Sequence, residues 1–300
     1  MNYISNDSWT ILSPIEQSIK EKIEKVGIPL KDWDININYG IKTGLNEAFI
    51  ISREIKETLI SKDQKSAEII RPILRGRDIK RYHANFSDQW LLFIPWHFPL
   101  HFDNNISGAS KKAEELFKEQ YPAVYQHLLS FKPKLEKRNR AETGIRYEWY
   151  ALQRWGAKYW DDFNKQKIIF QEMVQSPSFM LDADKHFLCL DTGRIIVGKH
   201  IKYLLALMNS NLFFFAIKNF YGGGSLGSSG VRMKHTFFEK FNAIIPDEKT
   251  LSRIEGIVDD VQKSSSIDEE TNCLLNFIIN KLYGLSENEI NYIESTVLSI

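Results

Sequence analysis

The chain has 300 residues, 43% hydrophobic and 26% charged, with 7 Trp, 19 Phe and a formal net charge of +1. This composition is globular and supplies a real core, in one large domain or two ordinary ones. No window approaches ~20 uncharged apolar residues, and the polar start Met1–Asp7 has no signal-peptide core, so a cytoplasmic protein with no membrane partner is expected.

In chain order, Ile15, Ile19, Ile23 and Val26 recur at helical spacing over Pro14–Val26. Ile35, Ile37 and Tyr39 alternate, Gly40–Gly44 interrupts them, and Ala48–Ile51 resumes an apolar run, a pattern that predicts a hairpin. Trp90–Pro95 reads as a buried strand. Lys111–Phe131 has helical periodicity with a kink or boundary at Pro122. Short strands are expected at Lys167–Met173, Phe179–Leu181, His186–Leu190 and Ile195–Val197, with a turn at Asp182–Lys185. Ile201–Asn219 reads as helix and Phe241–Ile245 as strand.

The C-terminal segment differs. Leu251, Ile254, Ile257, Val258 and Val261 form one helical stripe, and Leu274, Leu275, Ile278 and Leu282 another, joined by the Ser264–Ser266 linker. Gly284 suits a helix C-cap, and Ser286 with Glu289 makes a capping box for a last helix. Residues 246–300 carry 4 Lys/Arg against 11 Asp/Glu, which leaves +8 on the rest. This asymmetry predicts a boundary near Pro246, between a domain at 1–245 that could face a polyanion and an acidic helical tail at 246–300. Cys189 and Cys273 stand far apart in apolar settings, as buried free thiols would.

Two segments concentrate positive charge. Arg71–Tyr82 holds 5 cations and 1 anion; Phe131–Trp160 holds 8 cations, 3 anions and 7 aromatics. Cations for phosphate interleaved with aromatic and polar groups are the composition of a nucleic-acid surface. A third segment, Tyr221–Lys234 (Y-G-G-G-S-L-G-S-S-G-V-R-M-K), cannot pack a core and reads as a mobile loop of bare N–H groups and small hydroxyls. It leads into Arg232 and Lys234 at alternating spacing.

Catalytic motifs are largely missing from the sequence. The glycine loop lacks the G-K-[ST] ending of a phosphate-binding loop, and no G-x-G-x-x-G stands between a strand and a helix. No N-P-P-[YF] or D-P-P-Y tetrad occurs. Glu54-Ile-Lys56 and Asp63-Gln-Lys65 match half of a nuclease site, but the only Pro-Asp pair, Pro246-Asp247, lies far downstream. His97 and His101 lack a third ligand, so no metal site and no catalytic residue is assigned. An autonomous nuclease or nucleotide-modifying enzyme with an unrecognised site, and an aromatic-rich carbohydrate-binding module, remain as alternatives.

The motifs, in order, resemble the C-terminal target-recognition domain of Type IIG restriction–modification enzymes and TaqI-type adenine methyltransferases. Trp9–Leu12, Glu16 and the helix to Lys25 resemble its opening, and Tyr39–Ile51 its G-I-x-T-G-x-N-x-A-F hairpin. Ile73–Ile79 resembles its L-x-G-[KR]-D-I segment; Tyr159-Trp160 and Lys167–Glu172 resemble its Y-x-x-x-K-I-[IV]-x-x-[ED] strand. Leu204–Ser210 is similar to its helix ending L-L-N-S. The glycine loop with Arg232 and Phe241–Pro246 is similar to its last loop and strand, and Leu282–Glu289 to its L-Y-x-L-[ST]-x-x-E ending.

The resemblance implies an α+β fold, with a curved, mostly antiparallel sheet flanked by helices and a C-terminal helical segment. It implies sequence-specific binding of double-stranded DNA, with methyltransferase or nuclease domains supplied in cis or as a separate subunit. S-adenosylmethionine and magnesium would belong to those domains, so no cofactor is expected on this chain. The DNA-contacting residues implied are Lys42, Thr43 and Asn46; Arg75, Arg77, Lys80 and Arg81; Arg138, Arg140, Arg146 and Arg154; and Ser225, Ser228, Ser229, Arg232 and Lys234. Thr43 and Asn46 could equally shape a turn, and Asp78 could pair with Arg75 or Arg81.

Overall fold

The computed structural model describes residues 12–138, 144, 146–222, 224, 230–264 and 266–298. Helix α1 (Pro14–Lys25) starts where Pro14 cannot donate and where Ser13 and Glu16 cap each other reciprocally. Strands β1 (Ile28–Pro29) and β2 (Ile35–Tyr39) follow, then α2 (Asn46–Phe49), β3 (Ile50–Ser52), α3 (Arg53–Lys62), β4 (Ile70–Leu74) and β5 (Gln89–Leu92). Helices α4 (Lys111–Gln120) and α5 (Pro122–Leu129) divide at Pro122, as the sequence predicts, and α6 (Lys132–Leu135) and α7 (Trp160–Phe163) are single turns. Strands β6 (Lys167–Gln171), β7 (Met173–Val174), β8 (Phe179–Asp182), β9 (Leu188–Cys189) and β10 (Gly193–Gly198) come next. The predicted helix Ile201–Asn219 is two: α8 (Ile201–Met208) and α9 (Asn211–Asn219), the second capped by Ser210. Strand β11 (Val231–Arg232), α10 (His235–Phe238) and β12 (Asn242–Ala243) lead to the terminal helices α11 (Glu248–Ser264), α12 (Glu269–Leu282) and α13 (Glu287–Leu298).

The fold is α+β and its strand pairing mostly antiparallel. One four-stranded sheet has the order β2-β10-β6-β8 and is antiparallel throughout. A second has the order β3-β5-β4-β9, with β4–β9 parallel. β1 pairs with β12 and β7 with β11 in separate two-stranded ribbons. The hairpin predicted over Ile35–Ile51 does not form. Its first arm, β2, pairs with β10, and its second, β3, pairs with β5 in the other sheet. At Gly40 the chain passes so close to the Leu190 carbonyl that a Cβ would overlap it, and Ile41 donates to the Cys189 carbonyl at 2.8 Å. Glycine therefore lets the chain cross between sheets where the sequence suggested a turn.

Strands β10, β6 and β8 of the first sheet are buried on both faces, while β2 at its edge is partly exposed. Ile168, Phe170, Phe179, Leu181 and Ile196 enter a core shared with α1, α8, α9 and the terminal helices. Their neighbours Ile169, Met180 and Ile195 enter a second core with β3, β4, β5 and helices α4 and α5. Successive side chains point to opposite faces, so K-I-I-F and R-I-I-V must be apolar without alternation. The register sets Lys167 opposite Asp182; both are buried and paired, and the ammonium also donates to the Phe163 carbonyl at 2.8 Å.

The stripes of α11 and α12 cover α8 and α9: Ile254, Val258, Val261, Leu275 and Ile279 lie in the first core. Cys189 is buried, but Cys273 is exposed, against expectation, because it faces away from the apolar stripe of α12. Among the described residues no helix is long and apolar enough to cross a membrane.

Gly284 takes φ +61° at the end of α12, and Ser286 and Glu289 form the predicted capping box. Glu289 is buried and reaches further, accepting from Lys22 at 2.7 Å and the Ser18 hydroxyl at 2.7 Å. Burial works against its charge, but the Lys22 ammonium, the Ser286 N–H and the two serine hydroxyls outweigh it and hold the carboxyl down at about 2. Glu289→Gln is expected to lower stability by about 1–3 kcal/mol in urea denaturation at neutral pH. The folded-state pKa is depressed, so this contribution is present above the usual glutamate value of 4.5 and fades as pH falls toward 2. The gap between wild type and variant should close over that range.

Candidate nucleic-acid interface

Of the basic segment Arg71–Tyr82, the turn at Gly76–Asp78 decides which cations face outward. Asp78 is buried and accepts from the Arg75 backbone N–H at 2.9 Å, from its Nε at 3.1 Å and from its Nη2 at 3.2 Å. Arg75 Nη2 also donates to the Ser87 hydroxyl at 2.6 Å. Burial opposes the Asp78 charge, but these Arg75 and Ser87 contacts hold its carboxyl below the usual range. Arg75 is thus spent on shaping the turn. Arg81 points inward, donates to the Asn209 carbonyl, and its Nε is buried without a partner. Burial lowers its pKa. Arg77 and Lys80 are exposed, and their side chains make no ion pair or hydrogen bond among the described residues, although the Lys80 backbone N–H donates to the His83 carbonyl at 2.9 Å.

Gly76 sits against the amide of Gln171 at the end of β6, and that amide donates to the Met173 carbonyl. The β6–β7 corner therefore abuts the basic turn. Between them lies an open groove of about 560 Å³, lined by Arg77, Lys80, Met173, Gln175, Ser178 and Gly230 among others. Gly230 ends the glycine-rich segment and leads into β11. Two segments far apart in sequence so share one wall. Arg232 is half-buried and stands directly opposite Met173 in the β7–β11 ribbon. Lys234 lies 6.0 Å from the Phe237 ring.

A second cluster surrounds Tyr39. Lys42 and Arg154 exchange backbone hydrogen bonds of 2.9 Å. The Arg154 guanidinium lies 5.3 Å from the Tyr39 ring centre, and that of Arg194 3.9 Å. Arg194 is itself buried and bound to Glu172 at 2.7 Å. Arg154 is exposed, Lys42 half-buried and Arg146 exposed. Thr43 is buried and donates to the exposed Asn46, the turn-shaping arrangement.

Arg138 has a different place. It is buried, and its guanidinium donates to the carbonyls of Thr43 (2.7 Å), Trp149 (2.6 Å), Ala151 (2.9 Å) and Leu135 (3.2 Å). Burial pulls its pKa down to about 10. It ties the start of the crossing segment to the aromatic one. Arg140, Ser225, Ser228 and Ser229 lie outside the described residues. Among the described residues no group of three His, Cys, Asp or Glu is arranged to hold a metal ion. His97 packs its Nδ1 against buried Glu148 at 3.0 Å.

Charge patterning overlooked Gln171, Met173, Gln175, Ser176 and Ser178, which are neutral. No sequence signal marks them, because the outward phase of Met173 and Gln175 around buried Val174 emerges only in the fold.

The family model for the TaqI-like C-terminal specificity domain matches residues 71–225. The chain belongs to that family. The matched span of this specificity domain includes Arg77, Lys80 and the β6–β7 corner, and ends before β11. The chain is 26% identical over 234 residues to the Type II methyltransferase M.MjaIV of Methanocaldococcus jannaschii, over 75% of this chain and 70% of the relative. Its fold is similar to part of the Type IIL restriction-modification enzyme MmeI, solved in complex with DNA: TM-score 0.58, 14% identity, 91% of this chain and 37% of that one. It is also similar to part of the type IIG restriction endonuclease BpuSI: TM-score 0.54, 12% identity, 95% of this chain and 32% of that one. The chain thus spans about a third of the length of these two enzymes.

The arginines can be separated by experiment. Arg138→Lys keeps the charge but loses the planar fork that meets four carbonyls. It is expected to cost about 1–3 kcal/mol of stability by thermal unfolding. Arg146→Lys, at an exposed side chain, should stay within about 0.5 kcal/mol of wild type.

Proposed function

We propose that this specificity domain binds double-stranded DNA sequence-specifically and directs an adenine methyltransferase, with or without a nuclease, to its site. The observation that carries the reading is the convergence of the unpaired Arg77 and Lys80 and the end of the glycine-rich segment on one groove, with Arg232 beside it. Cations without internal partners are free to neutralise phosphate and release condensed counterions. The likeness to an enzyme solved with DNA supports the same reading. Lys42 and Arg154, beside Tyr39, extend the basic surface.

In this reading, phosphate contacts fix orientation and register, and base-edge contacts select the sequence. The energy gained offsets the few kcal/mol that extruding an adenine costs. Methyl transfer, with S-adenosylmethionine, and any magnesium-dependent cleavage belong to domains joined in cis or to a partner subunit.

Fluorescence anisotropy over a salt series tests this. Wild type should bind duplex DNA with affinity falling steeply as salt rises. The double variant Arg77→Ala, Lys80→Ala should bind all sequences more weakly and flatten the log–log slope by about 1.8, roughly 0.9 for each phosphate no longer neutralised. Binding by wild type that ignores salt, or a variant with the wild-type slope, would overturn the assignment of this face. Calorimetry with S-adenosylmethionine is expected to give no binding to this chain; micromolar affinity would contradict the division of labour.

A further inference from the structure

The β7–β11 pair stands apart from both four-stranded sheets as a two-stranded antiparallel ribbon. Its two faces differ sharply. Val174 and Val231 are paired in register and buried, at 6% and 0% exposure, so the inner face is anchored in the first core. The alternate positions point outward: Met173 is 54% exposed, Arg232 stands opposite it, and Gln175 continues the same phase into the groove. The ribbon is held from behind by the Gln171 amide on the Met173 carbonyl and by the Met233 N–H on the Glu172 carbonyl at 2.6 Å.

We infer that this ribbon is the base-reading element, lying in the major groove with Gln175, Met173 and Arg232 against base edges. This rests on the DNA-binding reading above. The B-DNA major groove, about 12 Å wide, admits a two-stranded ribbon. The outward chemistry points to bases and not to the backbone. A thioether has no hydrogen to give a phosphate, and although an amide can donate to one, the two together match the features that distinguish an A·T pair: the thymine methyl and the adenine N6–N7 edge. Arg232 supplies the fork that matches guanine O6 and N7. Met173 and Arg232, directly opposite each other, address one step. Gln175, two residues along at about 3.3–3.4 Å per residue, addresses a pair about two steps away. The cations of the neighbouring turn, Arg77 and Lys80, then flank the ribbon where the phosphates run.

Selection of bound duplexes from a randomised library, with the full chain, tests the inference. Wild type should enrich a defined site. Gln175→Ala should lose preference for one adenine by about ten- to a hundredfold, with circular dichroism and the salt slope unchanged, because a neutral side chain releases no counterion. Gln175→Arg should exchange that adenine for guanine. Arg232→Ala should relax a different position. If wild type enriches a site and these variants enrich the same one with the same preferences, the ribbon does not read bases, although DNA recognition stands. If wild type enriches no sequence, the recognition reading fails and takes the ribbon's role with it.

Discussion

A single sheet whose strands β10, β6 and β8 are buried on both faces organises this protein. β2-β10-β6-β8 is the common wall of two cores, so a change of register by one residue would turn every side chain of a strand into the wrong core. That constraint explains the unbroken apolar runs of β6 and β10. It also explains why the sheet carries a charge pair with no access to water: Lys167 and Asp182 stand in register, and each satisfies the other where neither could be hydrated. Losing one partner would strand a buried charge, whereas the intact pair fixes the register. The candidate interface hangs from this wall, since the β6–β7 corner and the crossing at Gly40 both leave it at defined points.

Cations fall into two classes that the sequence does not distinguish. Arg138, Arg81 and Arg194 are folded inward, onto carbonyls, onto a helix end and onto Glu172. Arg77, Lys80 and Arg146 point outward without partners among the described residues. Within one basic run the partition follows local geometry. Arg75 is captured by Asp78, and the turn this creates is what directs Arg77 away from the body of the protein.

Much of the helical framework was legible from the chain alone, because caps and stripes are local. The break at Pro122 and Gly284 before the Ser286–Glu289 box each act within a few residues. The hairpin expectation at Ile35–Ile51 failed because the choice of partner strand is not local: β10 lies far along the chain and offers β2 a longer pairing than β3 could. At the interface, the position of Arg77 and Lys80 was legible as charge, and the partner of Asp78 lay open between Arg75 and Arg81 until the turn was seen to select Arg75. The outward strip of β7 was not legible, since Met-Val-Gln carries neither charge nor a motif and acquires meaning only when β11 covers its valine.

Glu289, in the first turn of α13, accepts from Ser18 and Lys22 of α1. The first and last helices of the fold therefore meet. The topology is close to a closed ring. Such a ring can in principle be cut elsewhere and joined there, yielding a circularly permuted protein with both cores intact.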